Sequence, residues 1–495
     1  MDWVPAHFPK DAWALARFDG TPLYEYSDPR LRERESWGTL VFDFAKKEVQ
    51  SFLISSAWFW IRDCHVDGLR VDAVSSMLYL TYDRPHDDLV RERGGRINQD
   101  AVAFLRKLNG LMAEEEPQVL MIAEEATSYE GVSHPVEEGG LGFTHKWNMG
   151  WMNDILAYMQ TDYLWRGDHY HQLTFSLTYA FSENFILPIS HDEVVHGKRS
   201  LLDKMPGDIW RKFASLRSFL MYQMAHPGAK LNFMGYELGM FIEWRFREEL
   251  EWFLLDYESH RQLHHFVSVL NHLYLSESCL SEALPAWEGF IWNQVQDSDN
   301  SVIAFTRVDR QGRKVLCIFN LTPVPLEHYR LSVLDYGRYR MILNSDDRAF
   351  YGSAYLGDAT EGRSYLTQPA TLQAKEEQMR ALEAEDRAFA QLLNQRREQL
   401  LGEAKAYAEA VQERVSDGRV SREDGERLTA AIRRLTDLPA PAVRAPEIRC
   451  HLELTLPPLA ALYLLYEGVP DSGSADDGKR APVRRRAARR TAEKP

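Results

Sequence analysis

The stretch GLRVDAV at residues 68–74 places an arginine and an aspartate two positions apart at the end of an apolar run. Because side chains alternate between the two faces of a strand, Arg70 and Asp72 should lie on the same face. In a parallel barrel, a polar pair near the C-terminal end of a strand lies at the mouth of the active site. Arg70 would keep a partly buried Asp72 ionised, as a carboxylate nucleophile requires. A structural ion pair explains this segment equally well, so both interpretations stay open.

A second apolar run, VLMIA at residues 119–123, ends in Glu124 and Glu125. A short continuous apolar run is typical of a strand that is buried on both faces. Like charges at the end of such a strand raise the pKa of at least one carboxyl group, which suits a general acid near neutral pH. A solvated strand end is the alternative.

A third apolar run, FILPI at residues 185–189, leads into SHDEVVH at residues 190–196. Here His191 and Asp192 are suited to hydrogen-bond sugar hydroxyls. A metal site is the rival interpretation, but the segment has no HxxxH or comparable ligand spacing, which disfavours it.

Amphipathic segments with helical periodicity separate these runs. Helices are predicted over residues 49–61, 101–115 and 210–224, and a strand over residues 230–234. Alternating helices and buried strands predict a parallel sheet, and over this length a (β/α)8 TIM barrel of the α/β class is the leading choice. Three strands of one barrel that each end in a carboxylate fit retaining glycosidases, which need a nucleophile and a proton donor about 5–5.5 Å apart.

From about residue 286 the pattern changes to that of an antiparallel sheet. Strands are predicted over residues 301–308 and 314–320, with further strands at 452–456 and 460–466. The intervening segment is rich in Ala, Glu, Gln, Arg and Leu and predicts a helical hairpin inserted at about 366–450. Either a solvated spacer or a partner surface is compatible with that hairpin.

Three regions follow from these patterns. Residues 1–285 are predicted to form a catalytic (β/α) barrel, and residues 286–467 an all-β C-terminal sandwich that carries the helical insertion. Residues 468–495 have few large apolar side chains and several arginines, which predicts a disordered basic tail.

The overall composition narrows the class of ligand. A net charge of −15 disfavours nucleic acid and anionic membranes as partners of the folded part, so a neutral polysaccharide fits better. The sequence contains no run of about 18 apolar residues, so no membrane helix is predicted. The four cysteines form no CxxC pattern, which favours reduced thiols in the cytosol over disulfides or a zinc site.

These segments resemble the short conserved regions of the α-amylase superfamily (glycoside hydrolase family 13), and specifically those of bacterial glycogen branching enzymes. The resemblance covers nearly all of residues 1–255. It includes five further blocks: DWVPAHF at 2–8, ARFDGT at 16–21, GGLGF at 139–143, KWNMGWM at 146–152 and KMPGD at 204–208.

The resemblance implies a retaining transferase of glycogen biosynthesis. It would cleave an α-1,4-glucan and transfer the segment to a glucose 6-hydroxyl, giving an α-1,6 branch. Asp72 would be the nucleophile, Glu124 the proton donor and Asp192 the stabiliser of the transition state.

The resemblance also implies which residues support the substrate. His7 and His191 would bind the sugar next to the scissile bond, Arg70 would orient Asp72, and Asp2 would support the end of its strand. No metal or organic cofactor is expected. The expected partner is an α-1,4-glucan such as glycogen or amylose, and the expected state is a cytoplasmic monomer.

Departures from the family pattern lead to further expectations. In the family, a carbohydrate-binding β-sandwich and the first two barrel strands precede the DWVPAHF segment, so we expect a barrel that is incomplete at its N-terminus, with open edges. GYEL at residues 235–238 and EWR at 243–245 replace GNEF and EWN, and both lie in loops near the cleft, where they bear on acceptor binding. An α-amylase-type hydrolase with water as acceptor and a non-catalytic glucan-binding fragment are the alternative functions.

Overall fold

The chain is described here by a computed structural model. The described residues are 1–83, 87–358, 360–367 and 450–469. None of the helices among them is both long and apolar enough to cross a membrane.

The chain divides into two compact units. The first consists of Met1–Ser332, Arg340–Ser364 and Glu453–Tyr466. Most of the second unit lies outside the described residues, and so do the predicted helical hairpin and basic tail. Those two elements, and the domain boundaries near residues 285 and 467, remain predictions.

Six parallel strands form the sheet that carries the predicted site. They are β1 (Asp2–Trp3), β2 (Gly68–Val71), β3 (Leu120–Ala123), β4 (His145–Trp147), β5 (Phe185–Ile189) and β6 (Ala229–Asn232). The strands pair in chain order, with β1 and β6 at the edges of the described sheet. This is the order of a (β/α) barrel, of which the described residues supply six of the eight strands. The predicted α/β fold of α-amylase type is confirmed.

Long helices accompany these strands. They are α1 (Lys47–Arg62), α2 (Gln99–Glu115), α3 (Met149–Gln160), α4 (Ile209–Ala225) and α5 (Glu258–Ser276). In α1 the buried residues are Val49, Leu53, Ala57 and Ile61, a spacing of four that places them along one face. The predicted helices at 49–61, 101–115 and 210–224 correspond to α1, α2 and α4, whereas α3 and α5 were not predicted.

Shorter elements connect the main ones. The short α-helices are Pro29–Arg32, Val74–Leu78, Asp87–Glu92, His171–Thr174, Leu201–Lys204 and Ser278–Ser281. A small side sheet consists of His7–Pro9, Glu33–Arg34 and Thr39–Val41, paired antiparallel.

The later part of the chain is all-β. Its strands are β7 (Phe290–Asp297), β8 (Val302–Val308), β9 (Lys314–Asn320), β10 (Leu326–Val333), β11 (Arg338–Asn344), β12 (Ser364–Leu366), β13 (Cys450–Leu456) and β14 (Ala460–Gly468). Strands β7, β8, β9 and β14 are neighbours in that order and pair antiparallel. The predicted all-β character is therefore confirmed.

One prediction about burial is wrong. Strand β3 was expected to be buried on both faces, but Leu120 is 41% exposed, although Met121 and Ala123 are buried. Leu120 is the first residue of β3 and pairs with Gly68 of β2. Because Gly68 has no side chain, it does not cover the side chain of Leu120. Strand β5, in contrast, is buried along its whole length, as predicted.

Candidate active site

The carboxyl ends of three strands bring the predicted acids to one edge of the sheet. Asp72 follows β2 directly, Glu124 follows β3, and Asp192 lies in a 3-10 turn, His191–Val194, just after β5. Parallel pairing aligns the ends of these strands, so residues that are distant in the chain become neighbours.

Arg70 on β2 joins these acids into a single cluster. Its Nη1 lies 2.7 Å from Oδ1 of Asp72 and its Nη2 lies 2.9 Å from Oε2 of Glu124. Oδ2 of Asp192 is 4.0 Å from Nη2, and Oδ1 of Asp2 is 3.6 Å from Nη1. The Arg70 side chain is only 7% exposed. One buried guanidinium thus balances part of the charge of four carboxylates.

The indole of Trp147 fixes the guanidinium from one side. The central carbon of the Arg70 guanidinium lies 4.3 Å from the centre of this ring, within the range of a cation–π contact. Trp147 ends β4, which was not predicted as a strand. The signal in the sequence was an aromatic residue in the KWNMGWM block, but its position on the barrel was not recognised.

The two predicted sugar-binding histidines each contact a predicted catalytic acid. His7 places Nε2 3.5 Å from Oδ2 of Asp72. His191 places Nε2 3.3 Å from Oδ1 of Asp192, and its ring packs edge-on near Trp244, with centroids 6.2 Å apart. Both histidines are part-exposed, so a ligand in the cleft can reach them.

The pKa values of the two central carboxyl groups shift in opposite directions. Burial works against the charged form of Asp72, but the contact with His7 and the charge of Arg70 outweigh it, so its pKa falls below the ordinary value. For Glu124, burial dominates and raises the pKa, with Arg70 opposing the rise and Asp72 and Asp192 adding to it. Opposite shifts of neighbouring carboxyl groups separate a nucleophile from a proton donor.

The physical reason predicted for the pKa of Glu124 needs correction. The sequence suggested that Glu124 and Glu125 raise each other's pKa, yet burial is the main cause and the like charges come from Asp72 and Asp192. Glu125 turns away from the cluster and is fully buried, with Oε2 2.6 Å from Nζ of Lys146. Successive residues of an extended chain point to opposite sides, so adjacent acids need not share a site.

Backbone groups hold Glu124 from the side of β2. The amide of Ala73 donates to its Oε2 at 2.8 Å, and the amide of Val74 donates to its carbonyl oxygen at 3.0 Å. Ala73 has a φ of 51°, the left-handed region that a non-glycine residue rarely adopts. This conformation turns the chain directly after the predicted nucleophile and aims an amide at the predicted proton donor.

A capping box positions Asp192. The amide and the hydroxyl of Ser190 both donate to Oε2 of Glu193, at 2.6 and 2.7 Å, and the Ser190 hydroxyl accepts from the amide of Asp192. The S-x-x-E spacing is a recognised signal for such a turn, and it could have identified Glu193 as a supporting residue from the sequence.

Within the described ranges, no three His, Cys, Asp or Glu side chains converge in a way that would hold a metal ion.

The chain is similar in sequence to one domain family and to several curated proteins. Residues 292–384 match the family described as alpha amylase, C-terminal all-beta domain. The "1,4-alpha-glucan branching enzyme GlgB" of Nitrosomonas eutropha is 52% identical over 359 residues, which is 72% of this chain and 49% of that protein. The enzyme of the same name from Oceanobacillus iheyensis is 49% identical over 368 residues, covering 74% and 57% respectively.

A solved structure of a noncanonic maltogenic alpha-amylase, AmyB from Thermotoga neapolitana, is 14% identical with a TM-score of 0.49, covering 74% of this chain and 72% of that one. With that identity and TM-score, the likeness does not define the class of this chain. The chain spans about half the length of the curated relatives it matches.

The parallel sheet, the all-β segment and these matches together define the class: this chain belongs to the α-amylase superfamily. Within that superfamily, the curated relatives to which it is about half identical are bacterial branching enzymes. The resemblance found in the sequence is thereby confirmed.

Proposed function

We propose that this chain carries the catalytic centre of a 1,4-α-glucan branching enzyme. The observation that carries the proposal is the Arg70 cluster, in which one guanidinium contacts an acid of lowered pKa and an acid of raised pKa. Similarity to relatives that are named branching enzymes supports the choice of acceptor.

In the first half of the proposed reaction, an α-1,4 bond of the glucan is exchanged for an ester. A carboxylate oxygen of Asp72 attacks the anomeric carbon, and the bond from that carbon to the leaving 4-oxygen breaks. Glu124 gives its proton to the leaving oxygen, which becomes a free 4-hydroxyl. The lowered pKa keeps Asp72 ionised for attack, and the raised pKa lets Glu124 hold its proton.

In the second half, the glucosyl ester is opened by a glucose 6-hydroxyl. Glu124, now a carboxylate, takes the proton of that hydroxyl while its oxygen bonds the anomeric carbon and Asp72 leaves. Two inversions retain the α configuration. Asp192 is proposed to stabilise the positive charge that develops at the anomeric centre, since it lies on the same side of Arg70 as Glu124.

The four supporting residues have distinct proposed roles. Arg70 orients Asp72, whereas His7 and His191 donate hydrogen bonds to the sugar beside the scissile bond. Asp2 forms an ion pair with Arg70, its register partner across β1 and β2, and is half exposed, which supports a role in holding the end of β1 against β2.

The proposed substrate is an α-1,4-glucan such as amylose or glycogen, and the proposed state is a monomer in the cytoplasm. Analytical ultracentrifugation of the purified chain tests the monomer: a sedimentation coefficient that rises with concentration would contradict it.

An assay with amylose tests the transferase. Branching lowers the iodine colour while the number of reducing ends stays constant, because each cleaved bond is replaced by a new one. Reducing ends that rise in step with colour loss would instead identify an α-amylase-type hydrolase. Retention of the chain on an amylose column without either change would identify a glucan-binding fragment.

A further inference from the structure

A cavity of about 290 Å³ lies at the opposite end of the parallel sheet from the Arg70 cluster. It opens beside the first residues of β4, β5 and β6, and its lining includes His145, Tyr274, Ser281 and Arg307. Its volume is close to the lower limit of typical small-molecule pockets, about 300 Å³, and is much larger than a single water, so it can hold a small solute.

Arg307, on β8, is the most buried charge in this cavity, with only 4% of its surface exposed. Its Nη1 donates to the carbonyl of Ala225 at 2.6 Å, and its Nε donates weakly to that of Gly289 at 3.4 Å. Its Nη2 donates to no atom of the described residues. After burial, the largest electrostatic influences on its pKa come from the thiols of Cys317 and Cys279 and the phenols of Tyr274 and Tyr463. Buried charges are ordinarily paired, so Arg307 departs from the rule.

Lys230, on β6, adds a second basic side chain that forms no ion pair with the residues described in the structure. Its Nζ donates to the carbonyls of His226 and Gly228 and lies 5.7 Å from the ring centre of Tyr274, which also lines the cavity. Burial and the charge of Arg307 lower the pKa of Lys230 well below its usual range. The two basic side chains therefore repel each other across a common region.

The end of α4 offsets only part of this charge. Ala225 is the last residue of α4, and a helix C-terminus carries roughly half an elementary negative charge. Burial lowers the pKa of Arg307 to about 10, so it stays charged at neutral pH. A half charge cannot neutralise a full guanidinium, so positive potential remains at the cavity.

The acid that lines the cavity is already engaged. Glu183 accepts hydrogen bonds from the amides of Val132 and Ser133, at 2.9 and 2.7 Å, and from the Ser133 hydroxyl. It forms no ion pair with Arg307 or Lys230 among the described residues. Its carboxylate binds the loop at residues 131–133, so no described residue supplies the cavity with a counter-ion.

The remaining polar groups of the cavity are neutral donors. Burial lowers the pKa of His145, which keeps the ring uncharged, and its Nδ1 contacts the hydroxyl of Thr144 at 3.1 Å. Its Nε2 has no partner in the described residues. Burial raises the pKa of Tyr274, so its hydroxyl keeps a proton to donate.

We propose that this cavity is an anion site for a phosphoryl group, carried either by inorganic phosphate or by a small sugar phosphate. A guanidinium matches the geometry of phosphate oxygens, and the neutral donors around it can satisfy further acceptor positions. The volume of about 290 Å³ exceeds that of a phosphate ion alone and leaves room for a sugar ring. This anion site does not depend on the proposed glucan chemistry, so a measurement of anion binding tests it separately from enzyme activity.

Isothermal titration calorimetry on the purified chain tests the site, with inorganic phosphate, glucose 6-phosphate and glucose as probes at a constant ionic strength set with potassium chloride. Saturable binding of at least one phosphorylated probe is expected, with a Kd of about 1 mM or tighter, and none of glucose. Phosphate alone would identify the free ion, and glucose 6-phosphate alone would identify the sugar phosphate. Silence of both probes, or equal binding of glucose, would overturn the proposal.

Variants connect the binding to this cavity. Arg307→Gln should weaken the Kd at least about tenfold, whereas Arg310→Gln, the same charge change at an exposed position of the following turn, should leave it unchanged. Because Arg307→Gln also removes a helix-end contact, Ser281→Asp provides a second route: it places a negative charge in the lining while Arg307 stays intact. Circular dichroism checks that each variant is folded. Unchanged binding by both cavity variants would place the anion elsewhere and reject the site.

Discussion

Two buried arginines, one at each end of the same parallel sheet, have opposite surroundings. Arg70 lies among four carboxylates at the carboxyl ends of the strands. Arg307 lies near the amino ends, where its acceptors among the described residues are backbone carbonyls. The first charge is compensated by the chain and can tune the pKa values of its neighbours. The second is not compensated and favours an anion from solution. Arginine therefore has two different uses in this chain, because the groups near the carboxyl ends of the strands differ from those near the amino ends.

The largest expected effect comes from removing the acids of the Arg70 cluster. Asp72→Asn and Glu124→Gln should each lower the rate of iodine-colour loss by at least about a thousandfold, as happens when one member of a catalytic group is removed. Glu114→Gln, an exposed site on α2, is the matched control and should keep full activity. A folded Asp72→Asn chain with more than about a tenth of the activity would contradict the assignment of the nucleophile.

The next effect concerns Arg70 itself and is read in the pH profile. Activity needs Asp72 ionised and Glu124 protonated, so kcat/KM should follow a bell whose acid limb reports Asp72 and whose alkaline limb reports Glu124. Arg70 lowers the pKa of both groups. Arg70→Gln should therefore move both limbs to higher pH, in addition to lowering the maximum rate by about a hundredfold. Limbs that stay in place would show that Arg70 does not set these pKa values.

The same shifts have a consequence for stability. The folded pKa of Asp72 is lowered, so its contribution is present above the unfolded pKa and is lost as the pH falls through the folded value. The folded pKa of Glu124 is raised, so its contribution is present at low pH and is lost as the pH rises through the folded value. As the pH rises from about 4 to 7, the free energy of unfolding of Glu124→Gln should consequently fall less than that of the parent. Urea unfolding at each pH measures both. Parallel curves for the two proteins would contradict the raised pKa.

A fourth prediction separates the two adjacent glutamates. Glu125→Gln breaks a buried ion pair with Lys146 and should lower the free energy of unfolding by about 3 kcal/mol. Glu124→Gln should change it by less than about 1 kcal/mol at pH 5. Urea unfolding followed by tryptophan fluorescence measures both. If the two variants were equally destabilised, the division of the pair into a cleft residue and a core residue would be wrong.

The smallest expected effect concerns the aromatic support of Arg70. Trp147→Phe keeps a ring but weakens the cation–π contact, which contributes about 1 kcal/mol, so activity should fall by about fivefold or less. Phe143→Leu, in a buried cluster outside the cleft, controls for the loss of aromatic packing. An effect of Trp147→Phe as large as that of Arg70→Gln would mean that the indole itself contacts the substrate.

The elements that the sequence revealed were those with a clear local pattern. Strands β2, β3 and β5 were found as apolar runs, and α1, α2 and α4 by their helical spacing. Strand β4 was missed because three residues are too few for a pattern. The exposure of Leu120 was missed because it depends on Gly68, which lies in another strand.

The candidate site was predicted as a list of residues, without its central contact. The sequence placed Arg70 beside Asp72, but the ion pair of Arg70 with Glu124 and its approach to Asp192 require β2, β3 and β5 to align. The two His contacts, the Ala73 amide and the Trp147 face arise in the same way. The similarity to branching enzymes supplied the roles, which the residue patterns alone had left open.

The sequence by itself determined that several buried strands end in carboxylates and that a separate all-β segment follows, because periodicity and apolar runs are local properties. Only the tertiary structure decided that Arg70 would contact Glu124 and approach Asp192, that Glu125 would turn into the core, and that Arg307 would form no ion pair within the described part of the chain. The physical reason is that pKa values and ion pairs depend on burial and on neighbours within a few ångströms. In this chain those neighbours come from different strands.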